Sequence, residues 1–169
     1  YQSEVLMASL SPDRTKIAFI LSNDESVSNV YVIDVNGEHK RRVISKHVKA
    51  RELAWSPDGK RILFIRNSGS LSVVNLDGSG LKKILKKSDE MVQMPVWLSN
   101  KKIIFSGEKQ VIAYKEKLPL STSVLREANV NGKVFKEFSG DPGFHNVTAS
   151  NEALSISPDG KSLALAQMC

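Results

Sequence analysis

The sequence has little cysteine: Cys169, its last residue, is the only one, so no internal disulfide can form and a thiolate metal site has no second sulfur. Long apolar runs are missing too. None exceeds six residues, against the roughly 20 that a helix needs to cross a bilayer, so no membrane-spanning helix is expected. The first residues lack the basic start and apolar stretch of a secretory leader. The chain starts at Tyr1 rather than Met, which leaves room for an upstream targeting segment that has been removed. The three histidines, His39, His47 and His145, have no ligand-like spacing with the lone cysteine or with carboxylates, so neither zinc nor another cofactor is expected. Gly-x-Ser-x-Gly, the nucleophile elbow of serine hydrolases, is absent, as are the phosphate-binding Gly-x-x-x-x-Gly-Lys and the dinucleotide fingerprint. No residue is therefore assigned a catalytic role.

The rest of the composition is that of a globular domain. Within 169 residues, 41% are hydrophobic, 25% are charged and 10 are glycine, which excludes collagen-like, coiled-coil and wholly disordered chains. Twenty-four Lys and Arg against 18 Asp and Glu give a net charge of +6, compatible with acidic partners without requiring them.

Self-comparison carries most of the information. Ser11-Pro12-Asp13-Arg14-Thr15-Lys16-Ile17-Ala18-Phe19 recurs as Ser56-Pro57-Asp58-Gly59-Lys60-Arg61-Ile62-Leu63-Phe64. It recurs again as Ser157-Pro158-Asp159-Gly160-Lys161-Ser162-Leu163-Ala164-Leu165. A degraded copy, one residue shorter and without Pro-Asp, starts at Trp97-Leu98-Ser99-Asn100. Ser11 and Ser56 lie 45 residues apart and Trp55 and Trp97 lie 42 apart, a period that marks a repeat architecture.

Each unit can be read physically. In Ser56-Pro57-Asp58-Gly59, proline presets φ, aspartate bonds nearby amides and glycine accepts a left-handed conformation, which together make a tight turn. The runs after it, Ile17 to Leu21 and Ile62 to Ile65, are apolar without alternation, as expected of strands covered on both faces. Val30 to Asp34 and Leu71 to Asn75 read as third strands, with Val124 to Val130 chosen for the third unit. Asn36-Gly37, Asp77-Gly78 and Asn131-Gly132 supply further turns, and a basic strand closes each unit: Lys40 to Ile44, Leu81 to Leu85 and Lys133 to Phe138. A short strand before each Ser-Pro-Asp completes four antiparallel strands per repeat.

This pattern predicts an all-β fold, a β-propeller of four-stranded antiparallel blades with about three and a half blades present. The repeats span approximately residues 5–48, 49–90, 91–140 and 151–169 of a single partial domain. A sandwich is the alternative, but it would show clean alternation in most strands. Propellers close with at least about four blades, so the chain reads as part of a parent with six to eight, or as a half-propeller that self-associates through its open blade edge.

Trp-Ser-Pro-Asp-Gly-Lys, an apolar strand, a strand ending in Asp, then Asp-Gly or Asn-Gly and a basic strand resemble the WD-like repeat of TolB-type propellers. Related blades occur in the tricorn protease, prolyl oligopeptidases and dipeptidyl peptidases. The resemblance covers nearly all of residues 5–166. The third unit departs from it, having lost Pro-Asp and gained residues between Gln110 and Ser123. The ordinary WD repeat fits less well, since its Gly-His and Trp-Asp signatures are absent.

Repeated features are expected to be structural: Ser11, Ser56 and Ser157 with their aspartates serve the turn, and Asp34 to Gly37 and Asp77 to Gly80 are hairpin turns rather than calcium loops. Leu81-Lys82-Lys83-Ile84-Leu85-Lys86-Lys87 also fits helical spacing, as a helix on a membrane surface or nucleic acid would. It aligns with Lys40-Arg41-Arg42-Val43-Ile44, however, and reads as an outermost strand whose lysines discourage edge pairing. No nucleic acid is expected as a partner.

The insertion between Gln110 and Ser123 is what a bare propeller does not require, and long loops on rigid scaffolds carry recognition. Lys115, Lys117 and Pro119 are the candidate contacts for a protein or peptide partner. Asn146-Val147-Thr148 is a glycosylation sequon, meaningful only in a secreted protein.

Three functions stay open. The first is a non-catalytic binding scaffold similar to TolB-type propellers, for which the resemblance implies a periplasmic or cell-surface setting. The second is the substrate-gating propeller of a prolyl oligopeptidase-like serine peptidase whose catalytic domain is absent from this chain. The third is a propeller enzyme acting on a sugar or metabolite.

Overall fold

The computed structural model describes residues 3–24, 27–44, 48–66, 69–85, 92–112, 119–138, 151–157, 159 and 162–167. Among these residues every regular element is a strand: β1 (Glu4–Leu10), β2 (Lys16–Asp24), β3 (Val27–Asp34), β4 (Arg41–Arg42), β5 (Ala50–Trp55), β6 (Arg61–Arg66), β7 (Leu71–Asn75), β8 (Lys82–Leu85), β9 (Val92–Ser99), β10 (Lys102–Ile112), β11 (Pro119–Asn129), β12 (Val134–Phe138), β13 (Asn151–Ile156) and β14 (Leu163–Gln167). They form three four-stranded sheets, each in chain order, and a two-stranded sheet from β13 and β14. Every pairing within these sheets is antiparallel. The chain divides into two compact units, Tyr1–Ser88 and Asp89–Cys169.

Turn chemistry sets the strand boundaries. In each Ser-Pro-Asp turn, the serine hydroxyl donates to the aspartate at 2.6 Å and accepts from an amide five residues on at 2.9 Å. The amides are those of Lys16, Arg61 and Ser162. One hydroxyl thus ties both ends of the turn. Gly59 sits at φ +67°, as the turn requires, and Arg14 occupies the equivalent place at φ +60° without glycine's freedom. The turn between the third and fourth strands of each four-stranded sheet closes when the amides of Gly37, Gly78 and Gly132 donate to the carbonyls of Asp34, Asn75 and Asn129.

In the first unit, β1 to β4 pack against β5 to β8. Alternate residues Ala18, Ile20, Val30 and Val32 of one sheet meet Ile62, Phe64 and Val74 of the other, with Leu53 and Trp55 in the same core. Burying each larger side chain stabilises the fold by about 1.5–3 kcal/mol. Ile62, Leu63, Phe64 and Ile65 are all buried, the two-faced cover that the unbroken apolar run predicts. Polar contacts set the sheet spacing: Trp55 Nε1 donates to the Ser9 carbonyl at 3.0 Å, and Ser28 Oγ to the Ala50 carbonyl at 2.7 Å. The Arg41 guanidinium donates to the Leu76 carbonyl.

In the second unit, Trp97, Ile103, Phe105, Val124, Leu125 and Ala128 are buried around β9 to β12, and β13 lies against β9. A regularity that the sequence does not announce is an irregular register in each first strand, at Leu6 in β1, Arg51 in β5, Met94-Pro95 in β9 and Glu152 in β13. Such bulges bend and twist a strand.

The fourth strands are shorter than the sequence suggests. β4 is only Arg41–Arg42, because Val43 and Ile44 turn inward and are buried, while β8 and β12 each begin one residue later than expected.

Candidate functional site

The Ser-Pro-Asp turns contain the hydroxyl-carboxylate pairs nearest to a catalytic arrangement, and their geometry shows what they do. Ser56 is fully buried, and its hydroxyl is spent on Asp58 and the Arg61 amide. The Ser11 hydroxyl, followed by the amide and hydroxyl of Thr15, holds the Asp13 carboxyl below its ordinary range. Around Asp58, burial is the largest single influence and acts upward. The Ser56 hydroxyl, the Lys60 amide and the charges of Arg61 and Lys60 together outweigh it and lower the pKa. These carboxylates are therefore ionised acceptors at neutral pH, held by their own turns, and among the described residues no histidine bonds to them.

Basic residues mark the outermost strands. Arg41 and Arg42 in β4 are exposed, and so are Lys82 and Lys83 in β8, where Ile84 is buried instead. The stretch from Leu81 is a strand as far as Leu85, and Lys86 and Lys87 lie outside the described residues. Among the described residues, no three His, Cys, Asp or Glu side chains gather into a metal-holding group.

The third sheet has a feature the first two lack. β10 and β11 are each 11 residues long and pair from Lys102↔Asn129 through Ile112↔Pro119. Their outer neighbours stop much earlier, β9 at Gly107↔Val92 and β12 at Leu125↔Phe138. From Glu108 to Ile112 and from Pro119 to Ser123 the chain is a two-stranded ribbon continuing past the blade.

The loop expected between Gln110 and Ser123 is thus corrected to paired strand over much of its length. The third strand, expected over Val124 to Val130, is Pro119–Asn129. Pro119 is the first residue of β11, a position where a proline's missing N–H is tolerated, and it pairs with Ile112. Lys115 and Lys117 lie outside the described residues, in the connection from β10 to β11. The ribbon's strand signals were present in the sequence: Gln110-Val111-Ile112 on one side and Leu120-Ser121-Thr122-Ser123-Val124 on the other are compatible with strand. Pro119 disguised them as loop.

No family model matches the sequence. Among solved structures, TolB from Acinetobacter baumannii matches with a TM-score of 0.64 at 21% identity, over 96% of this chain and 37% of its own. A TolB protein from Agrobacterium tumefaciens matches with 0.57 at 16%, over 81% and 50%. The fold is a partial TolB-type β-propeller. An acylaminoacyl peptidase from Pyrococcus horikoshii matches with 0.61 at 14%, over 81% of this chain and 25% of its own. The chain spans half or less of the length of each of these proteins. Its three four-stranded sheets and one two-stranded sheet are three and a half blades of such a propeller.

Proposed function

We propose that this chain is a non-catalytic protein- or peptide-binding scaffold, and that its partner contact lies on the ribbon of Glu108–Ile112 and Pro119–Ser123 and on the segment that joins them in sequence, with Lys115, Lys117 and Pro119 as the candidate contacts. The observation behind this reading is the ribbon itself. The first two sheets are complete without such an extension, and a two-stranded ribbon past its sheet gains little stability of its own. A rigid blade presenting a projecting hairpin is a common design for recognition. We read the setting as periplasmic or cell-surface, as the resemblance to TolB-type repeats implies.

The test is excision. Residues 109–122 are replaced by Asn-Gly, which closes Glu108 and Ser123 with a two-residue hairpin turn. The melting temperature should move by no more than a few degrees, because the buried residues of β9 to β12 are untouched. Partner proteins crosslinked to the unaltered chain in extract from its source, and identified by mass spectrometry, should be lost. Their full retention on the excised chain would refute the assignment.

A second reading is the substrate-gating propeller of a serine peptidase, favoured by the structural match to the acylaminoacyl peptidase. Sequencing the reading frame past residue 169 separates the two. A Gly-x-Ser-x-Gly elbow there would select the peptidase reading, and further Ser-Pro-Asp units the scaffold.

A further inference from the structure

The outermost strands of the three complete sheets all carry charge: Arg41-Arg42 in β4, Lys82-Lys83 in β8 and Lys136-Glu137 in β12. Charged residues on an edge oppose pairing with another chain. Where β11 runs past β12, this protection stops. From Leu118 to Leu125 the sequence is Leu-Pro-Leu-Ser-Thr-Ser-Val-Leu, with no charged residue, and no described strand lies along the outer side of β11 between Pro119 and Val124. The other edge of the ribbon differs, since β10 leaves its sheet with Glu108-Lys109.

The chain's own continuation after β12, Ser139-Gly140-Asp141-Pro142-Gly143, lies outside the described residues. Its glycines and its proline, which has no N–H to give, suit a ladder poorly. We propose that the outer edge of β11 from Leu120 to Val124 accepts an extended, acidic segment of another protein, which adds as a strand antiparallel to β11 and in line with β12. This deepens the scaffold reading and rests on it.

Charge selects the partner's sign. Residues 101–138 contain eight Lys and Arg against four Glu, a net +4 out of the chain's +6. Two of those glutamates are already engaged within the sheet, Glu127 with Lys102 at 2.7 Å and Glu137 with Arg126 at 3.0 Å. In sequence the uncharged run is preceded by Lys115-Glu116-Lys117 and followed by Arg126. A second copy of this basic chain would meet like charge there, whereas an acidic segment would be drawn in. In strand addition the main-chain ladder supplies affinity, and the flanking charges choose among segments that can all form it.

The probe is a synthetic nonapeptide of alternating Val and Thr with Glu at both ends, added to the full chain. Amide hydrogen exchange should slow at Leu120 to Val124. The same peptide N-methylated at every internal residue, which keeps its side chains but removes the N–H donors of both strand edges, should bind at least about tenfold more weakly. A version with Lys in place of Glu should also bind more weakly, with the difference shrinking as salt is raised. Thr122→Glu, which places a charge of the probe's own sign on the edge, should weaken binding similarly.

Equal affinity of the N-methylated peptide, equal affinity of the Lys-ended peptide, protection confined to other strands, or no binding at millimolar peptide would each overturn the inference. So would concentration-dependent protection of Leu120 to Val124 without peptide, which would assign the edge to a second copy. None of these outcomes touches the scaffold reading, which stands or falls on partner loss after ribbon excision.

Discussion

One hydroxyl does the same work three times in this chain. Ser11, Ser56 and Ser157 each donate to an aspartate and accept from the amide that starts the next strand, so the side chain closes the turn and fixes where the strand begins. Removing it should cost more than removing its partner. Ser56→Ala leaves the Arg61 amide without its acceptor beside a fully buried position and should destabilise by about 1–3 kcal/mol, whereas Asp58→Ala should cost about 1 kcal/mol. Urea titration of both variants checks the order, and a larger loss for Asp58→Ala would contradict this division of roles. The same turn is imperfect at Arg14, which holds φ +60° where the second copy has Gly59. A left-handed non-glycine residue costs about 1–2 kcal/mol, so Arg14→Gly should raise the melting temperature by a few degrees.

At the scale of the element, the apolar run of β6 and the ribbon of β10 and β11 make opposite points. Ile62 to Ile65 are buried on both faces, and Phe64 lies in the core shared with β2 and β3. Phe64→Ala should therefore destabilise by about 3–5 kcal/mol, and a loss under 1 kcal/mol by calorimetry would show that the two sheets do not share that core. This packing was legible in the sequence because a strand covered twice has no polar face to display, and the blade order followed from turns that recur with a period. The fourth strands were half legible, since the basic residues showed but not the inward turn that ends β4 at Arg42. The bulges were not legible, because an extra residue in a first strand leaves no fixed residue type behind: Leu6, Arg51, Met94-Pro95 and Glu152 share no chemistry. The candidate site was legible as a position and misread as a conformation. Pro119 signals a break in most contexts, yet at the first place of a strand it gives up nothing that the ladder needs.

For the whole molecule, the repeated turns turn a local property into a dependence on pH. The carboxyls of Asp13, Asp34, Asp58 and Asp77 are all held below their ordinary value. At Asp34 the Lys16 ammonium is the main cause and His39 the next. At Asp77 it is the hydroxyl of Ser79 and then its amide. A carboxyl whose folded pKa is depressed contributes stability that is fully present above its unfolded value, near 3.9, and is lost as pH falls through the lower folded value. The four contributions share this sign and this window, so their losses accumulate between about pH 5 and pH 2, while the chain's net charge climbs above +6 as every carboxylate is protonated. Stability should be flat from pH 7 to pH 5 with respect to these groups and should fall steeply below pH 4. Replacing Asp13 and Asp58 together by Asn keeps an oxygen that accepts from Ser11 and Ser56 but cannot titrate. The double variant should be somewhat less stable than the parent at pH 7, and its urea midpoint should decline less between pH 5 and pH 2.5. Parallel curves for parent and variant over that interval would mean that the turn carboxylates do not govern the acid response, and that self-repulsion of the growing positive charge does.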